Sequence, residues 1–261
     1  MQFTSPVVVK IGGSTLGSHD TTVRDLVKLQ REGVPTVVVH GGGNKVTEWL
    51  DRMGIATRFV RGARVTDEET LQVVVAVLAG VVNKELVAAI TLGGGKAIGL
   101  SGVDGGLIQA RIGSEEMGYV GDVVRVDPGP VNAVLSAGYM PVIGPVGLRS
   151  PESDNNSVQL LNINADVAAS EIAVALKAGT LVFLTNVPGV KDSEGRILPR
   201  LSPEEARALV ESGVVSGGMI PKVEACLRAI SSVSTAQIVD GRSPGALLAA
   251  VEGRSGGTRI E

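Results

Sequence analysis

Two lysines in unusual settings open the chemical reading of this 261-residue chain. Lys10 follows Val7-Val8-Val9 and precedes Ile11-Gly12-Gly13. That puts a cation at the C-terminal end of a buried strand, where ligands bind in open α/β sheets. The glycines let an anion reach backbone amides beside the ammonium. Lys222 ends Gly217-Gly218-Met219-Ile220-Pro221-Lys222, in the first turn of a helix with Pro221. A positive charge there opposes the helix dipole and calls for a compensating anion. His40-Gly41-Gly42-Gly43 joins a strand to a helix, so that free amides and the positive helix end converge on a carboxylate or phosphate. No Gly-x4-Gly-Lys-Ser/Thr occurs, and the triplet lacks the Gly-x-Gly-x-x-Gly spacing, so neither a P-loop nor a dinucleotide fingerprint is present. His40 reads as a packed strand-end residue rather than a base. Gly93-Gly94-Gly95-Lys96 faces a helix C-terminus, the wrong dipole for an anion, and reads as a cap and connection.

Three further groupings carry charge or polarity. Arg58, Arg61 and Arg64 fall within seven residues around Gly62. Such a loop usually presents a solvated surface, and Arg64, just before Val65-Thr66-Asp67, is best placed for bidentate carboxylate recognition. Asn162-Ile163-Asn164-Ala165-Asp166 sets two amides and a carboxylate at a helix start. An N-cap with a dipole-favoured Asp explains that pattern, and so does a polar ligand site. The loop from Asn186 to Lys191 leaves a strand at another C-terminal edge and suits a nucleotide base or ribose. No persuasive His/Asp or Ser/His pair appears, and no carboxylate cluster has metal-ligand spacing.

The elements that must position these groups follow from periodicity. Strands are expected at Val7–Ile11, Pro35–His40, Ala97–Leu100, Met140–Ile143, Thr180–Leu184 and Gln237–Val239, with a hairpin arm at Gly118–Val126. Helices are expected at Thr21–Arg31 with Asp20 as N-cap, Asn44–Met53, Asp67–Thr91, Val131–Ala137 and Ala165–Lys177 with Gly179 as C-cap. Pro203–Ser212, Met219–Ser232 and Pro244–Val251 complete the set. Thr66-Asp67-Glu68-Glu69 supplies a cap and an acidic first turn. Apolar strands alternating with helices predict an α/β fold with a mostly parallel sheet covered on both faces. The aperiodic stretch Gly144–Asn156 predicts a boundary between an N-terminal lobe, 1–150, and a C-terminal lobe, 151–261.

Composition narrows the class. With 24 Lys+Arg against 27 Asp+Glu and only six aromatics, the chain lacks a polyphosphate footprint and stacking platforms, which argues against nucleic acid. One cysteine, Cys226, excludes an intramolecular disulfide framework and suits a reducing compartment. The longest apolar run, Leu71–Val82, is too short to span a bilayer, so a soluble cytoplasmic protein is expected. The 35 glycines, about twice the usual ~7%, direct attention to the loops.

Lys10-x-Gly-Gly, His40-Gly-Gly-Gly, Gly62-x-Arg64-Val-Thr, Gly99-Leu-Ser-Gly-x-Asp-Gly, Asn162-x-Asn-Ala-Asp166, Leu184-Thr-Asn-Val-Pro-Gly189 and Gly217-Gly-Met-Ile-x-Lys222 fall in one order. Together they resemble the amino acid kinase family, most closely its members that act on N-acetyl-L-glutamate, from Val8 to Gly256-Gly-Thr-Arg-Ile260. The resemblance implies a three-layer α/β/α sandwich of two lobes. The first would bind N-acetyl-L-glutamate and dimerise. The second would bind ATP, and the product would be an acyl phosphate of arginine biosynthesis.

It implies that Lys10 and Lys222 contact the transferred phosphoryl group while Asp166 holds both lysines. Gly42, Gly43, Arg64, Asn162 and Asn164 would line the acyl-amino-acid site. Gly12, Gly13, Asn186, Val187, Pro188, Gly189, Val190, Lys191, Val214, Val215, Ser216 and Gly218 would border the nucleotide. Mg²⁺ would be held mainly by the ATP phosphates. Asn186 stands where many of these relatives have Asp, and Ala63 where leucine is common. Asn186 is also familiar in relatives that phosphorylate aminoadipate on a carrier protein, the alternative reading. A non-catalytic sensor of the same fold is expected to lose Lys10, Asp166 or Lys222, and all three are present. Only Met1 to Pro6 precede the first strand, too few for the extra helix of arginine-inhibited hexamers. That implies a homodimer built on the long helix after Asp67 and insensitive to arginine.

Overall fold

Valine- and isoleucine-rich runs with almost no exposed surface need cover on both faces, and the chain supplies it by alternating them with helices. The computed structural model describes residues 5–12, 21–60, 62–150, 159–254 and 256–261; Gly13, Asp20 and Arg61 lie outside the described residues. The first part runs β1 (Val7–Ile11), α1 (Thr22–Arg31), β2 (Thr36–His40), α2 (Gly43–Met53), then a short hairpin of β3 (Phe59–Val60) and β4 (Ala63–Arg64). It continues through α3 (Glu68–Val75), wider π-helical turns over Ala76–Val82, α4 (Asn83–Leu92), β5 (Ala97–Ser101), β6 (Ile108–Ile112) and β7 (Val120–Val126). Then come α5 (Gly129–Ser136), β8 (Met140–Gly144), β9 (Val146–Arg149), β10 (Leu160–Ile163), α6 (Ala165–Ala175) and β11 (Thr180–Thr185). The chain ends through β12 (Arg200–Leu201), α7 (Pro203–Glu211), α8 (Ile220–Ala229), β13 (Thr235–Asp240), α9 (Ala246–Val251) and β14 (Thr258–Ile260).

Eight strands form one sheet in the order β12-β14-β13-β11-β1-β2-β8-β5, and only the β13–β14 pair is antiparallel. The parallel strands β1, β2, β8 and β11 therefore deliver their C-terminal ends to one edge. Alternation along β1 separates its side chains. Val8 joins the core shared with α6 and α8, whereas Val7, Val9 and Ile11 join the core shared with α1, α4 and α9. The expected α/β fold with a mostly parallel central sheet is found.

Several local expectations are corrected. Thr21, expected as the first residue of α1, occupies its N-cap position. The stretch expected to be aperiodic contains β9, which pairs with β6 and β10; β6, β7, β9 and β10 close into a small four-stranded barrel that periodicity alone did not predict. Its strands are half-exposed, and β9 and β10 have only four residues each, so the pairing partner rather than an apolar pattern defines those two. Asn162 lies in β10 and not at a helix start. Lys177, with φ 49°, takes the left-handed conformation after α6, in place of a cap at Gly179, whose N–H donates to the Pro6 carbonyl. The helical run Glu68–Leu92, 25 residues, exceeds the expected apolar stretch and is long and apolar enough to cross a membrane by length and composition. Its packing is that of a core helix: Val73, Val77, Leu86 and Ile90 are buried, and buried Asn83 bonds the carbonyls of Leu100 and Val142.

Candidate active site

Lys10 occupies the same face of β1 as Val8, the face that α6 and α8 cover. Asp166 sits in the first turn of α6 and Lys222 in the first turn of α8. The three converge: Lys10 Nζ lies 2.8 Å from Asp166 Oδ1, and Lys222 Nζ lies 3.1 Å from Asp166 Oδ2. Burial by itself would raise the Asp166 carboxyl, but the fields of Lys10 and Lys222 outweigh it and hold the group below the ordinary carboxylate range. At an effective dielectric near 20 each contact gives roughly 5 kcal/mol of gross attraction, the same scale as the several kcal/mol each ion loses on leaving water. Two ammoniums on one carboxylate leave a net charge of +1 at a buried point. Lys222 also donates to the Gly218 carbonyl at 3.3 Å.

Beside it stands the start of α2. The Gly41 N–H donates to Ile11 O, whereas among the described residues the Gly42 and Gly43 N–H groups meet no acceptor. These are the free amides of a helix N-terminus. Gly42 is required here: at φ 156° an added Cβ would lie 2.7 Å from Leu78 Cδ2. The Gly12 N–H donates to Leu184 O at 3.1 Å and is taken up by the sheet.

A cavity of about 180 Å³ opens at the strand ends, lined by Gly41–Gly43, Arg64, Asn162, Asn164 and the apolar side chains of Val46, Val74, Leu78 and Val120, with Phe59 at its wall. Arg64 is buried, and its guanidinium donates to Thr47 Oγ1 (2.7 Å), Gly43 O (3.0 Å) and Thr57 Oγ1 (3.2 Å). Its charge also faces the Phe59 ring, 4.7 Å from the centroid. Among the described residues no carboxylate lies within ion-pair distance of it. Asn162 Nδ2 donates to Thr66 Oγ1, which donates in turn to Arg64 O. Asn164 caps α6, its Oδ1 accepting from the Asp166 and Val167 amides. Periodicity singled out neither Thr47 nor Thr57, because a threonine on a helix or loop carries no mark of what it will touch. Within the segment Thr66–Glu69 expected to cap the long helix, Asp67 is the cap and Thr66 is the buried link between Arg64 and Asn162.

The other residues named from the sequence are scattered in environment. Arg58 and Asn186 are exposed, as are Lys191, Ser216 and Gly218, while Val187, Pro188 and Val214 are half-buried. Gly189 is buried, and the side chains of Val190 and Val215 belong to the core, the Val190 N–H donating to Thr258 Oγ1. Those two can present only backbone to a ligand. His40 is buried; desolvation pushes its pKa down to about 4, with Lys10 and Lys84 acting in the same sense and the Gly41 carbonyl opposing. It is neutral at pH 7.

A mostly parallel sheet thus gathers two lysines, helix amides and an arginine with no carboxylate partner among the described residues, and the chain belongs to the amino acid kinase family, whose sequence profile matches residues 5–240. Among its relatives, the acetylglutamate kinase of Dehalococcoides mccartyi is 47% identical over 97% of this chain and 94% of that enzyme. Two solved structures share the fold at 26% identity. The smu.665 protein of Streptococcus mutans superposes with a TM-score of 0.81 over 97% of both chains. The N-acetylglutamate synthase of Neisseria gonorrhoeae, complexed with coenzyme A and N-acetyl-glutamate, superposes with 0.83 over 98% of this chain and 59% of that one.

Proposed function

We propose that this chain transfers the γ-phosphoryl group of ATP to the side-chain carboxylate of N-acetyl-L-glutamate, giving N-acetylglutamyl 5-phosphate and ADP in arginine biosynthesis. The observation that carries the reading is the meeting of Lys10 and Lys222 on one buried carboxylate beside unpartnered glycine amides. The similarity to acetylglutamate kinases over nearly the whole chain supports the choice of acceptor.

The acceptor carboxylate, with a pKa near ~4.3, is already ionised at pH 7 and needs no general base. Neutral His40 is therefore not required as one. An acceptor oxygen forms the new bond to γ-phosphorus as the bond to the β-γ bridging oxygen breaks, and ADP carries away the electron pair. The obstacle is bringing an anion against a polyanion. Lys10 and Lys222 with the Gly42 and Gly43 amides neutralise the charge that moves between oxygens. Asp166 keeps the lysines together, and Arg64 with Asn162 holds the α-carboxylate. Asp166 is already engaged with two lysines, so Mg²⁺, which would neutralise phosphate charge, fits a place on the phosphates and water.

In this reading residues 1–150 supply most of the acyl-amino-acid site and 151–261 the nucleotide site, with the loop 186–191 and residues 214–218 beside the nucleotide. A homodimer across the partly exposed apolar side of Glu68–Leu92 belongs to it, and a one-chain mass in light scattering would overturn that part.

The function is tested by ADP release. Free N-acetyl-L-glutamate should be turned over in preference to glutamate, N-acetylaminoadipate and a carrier-linked substrate, and no turnover of the free acid overturns the proposal. In the same assay Arg64→Ala should raise KM for N-acetyl-L-glutamate about 10- to 100-fold, the scale of a lost charged hydrogen bond, and spare KM for ATP. Equal loss for both substrates assigns Arg64 to structure alone.

A further inference from the structure

His40 and Asn83 do not line the cavity, yet they are joined to the glycine cradle by a chain of hydrogen bonds. Asn83 is fully buried where the wide turns of Ala76–Val82 give way to α4. Its Nδ2 lies 2.9 Å from Val142 O, 3.1 Å from Leu100 O and 3.2 Å from His40 Nε2. Its Oδ1 accepts from Lys84 Nζ at 3.0 Å. The amide can sit only this way round, because a flip would set its oxygen against two carbonyls. Nδ2 has two hydrogens for these three neighbours and no lone pair to offer, so a hydrogen on His40 Nε2 would face it without an acceptor. On the other side of the ring Nδ1 lies 2.8 Å from Gly41 O, which only accepts, so Nδ1 must carry the proton. Both contacts demand the same species, neutral imidazole with the hydrogen on Nδ1.

The consequence passes through one peptide plane. In a trans peptide the carbonyl and the following N–H point in opposite directions, and no cis bond occurs in the described chain. With Gly41 C=O held on the His40 ring, the Gly42 N–H is turned away from His40, and it is one of the two amides left without an acceptor beside the cavity. The surroundings are built for this. Gly99 opens a sequence segment that the reaction does not otherwise use, and a Cβ there would lie 2.0 Å from Asn83 Oδ1 and 2.6 Å from Lys84 Nζ. Leu78 and Val82, in the wide turns, pack on Gly42 itself, at 2.7 and 3.2 Å from where its Cβ would be. Wide helical turns of this kind recur at functional sites.

We infer that His40 and Asn83 are positioning residues for phosphoryl transfer: Asn83 selects the His40 tautomer, and His40, by holding the Gly41 carbonyl, aims the Gly42 amide at the transferred group. The inference rests on the kinase reading, and its test separates the two. His40→Asn keeps a side-chain N–H where Nδ1–H stands, whereas His40→Leu has none. In the ADP-release assay His40→Leu should lower kcat about 10- to 100-fold with both KM values within about threefold of wild type, and His40→Asn should retain kcat within about fivefold. Equal impairment of both folded variants, or wild-type kcat in His40→Leu, overturns the inference. So does a His40→Leu loss confined to KM. A measurement on the wild-type chain needs no variant to stay folded: ¹⁵N spectra of histidine-labelled protein at pH 7 should show His40 neutral with its proton on Nδ1, and a proton on Nε2 overturns the inference. A wild-type chain that transfers no phosphoryl group sinks the kinase reading while leaving the tautomer result standing.

Discussion

Lys222→Ala is expected to lower kcat about 10²-fold or more, and Lys10→Ala to do the same, the scale for losing one electrostatic donor to a transition state. The expectation follows from charge at a buried point. The two ammoniums exceed their shared carboxylate by one positive charge, and removing either leaves the site neutral. The oxygens of the migrating phosphoryl group would then lack their nearest buried cation. The effect belongs in kcat because the charge moves only in the chemical step. KM for N-acetyl-L-glutamate should change little, since Arg64 and Asn162 line the cavity and neither lysine does. Single-turnover and steady-state rates measured together check this, and near-normal turnover in both variants removes the centre of the proposed reaction.

Asp166→Asn should be costly in a different currency, equilibrium stability. The substitution keeps the shape and removes the one negative charge between two nearly buried ammoniums, whose side chains are 8% and 17% exposed. Breaking a buried pair from one side costs roughly 3–5 kcal/mol, because the remaining charge is stranded. Denaturant unfolding should show that loss as a lower midpoint with an unchanged slope. Added ATP should restore part of it, since phosphate oxygens can take the place of the carboxylate beside the lysines, and binding to the folded state alone stabilises by mass action. A variant as stable as wild type would mean that the lysines do not depend on Asp166. A deficit that nucleotide leaves untouched would mean that the lysines do not face the phosphates.

The layout of the sheet was legible because its strands announce themselves. Val7–Ile11, Thr36–His40 and Thr180–Thr185 are runs rich in Val, Leu and Ile that are almost wholly buried, and a central parallel strand buries a run of that kind on both sides. The long helix after Asp67 was equally plain from its cap and acidic first turn. Of the barrel strands only β7, inside the expected arm Gly118–Val126, was. Val146–Arg149 contains Gly147 and Arg149 and has no alternation strong enough to distinguish it from loop; it is a strand because β6 and β10 flank it. The Glu68–Leu92 run follows the expected Asp67–Thr91 closely, and only the wider turns over Ala76–Val82 were not foreseen. Gln72, Asn83, Lys84 and Glu85 break the apolar pattern, while the helix continues through them by way of turns that local propensity does not foretell.

At the site, residue types and spacing were enough to mark Lys10, the glycine triplet and Lys222, because each is a local anomaly: a charge ending a buried strand, flexible backbone at a helix start, a cation at the positive end of a helix. Family resemblance, not spacing, supplied the link to Asp166. Arg64 drew notice as one of three arginines on a loop, but nothing local separated it from exposed Arg58. Burial did, through Thr47, Thr57 and the Gly43 carbonyl.

The amino-acid sequence by itself determined the alternation of buried strands with amphipathic helices, and with it the parallel sheet and the edge on which chemistry gathers. Those are properties of neighbours along the chain, written in periods of two and of 3.6 residues. Which distant side chains meet was decided only by the tertiary structure. Lys10 finds Asp166, Asp166 finds Lys222 and Asn83 finds His40 because strand order, helix packing and a widened helical turn set distances that no local pattern carries.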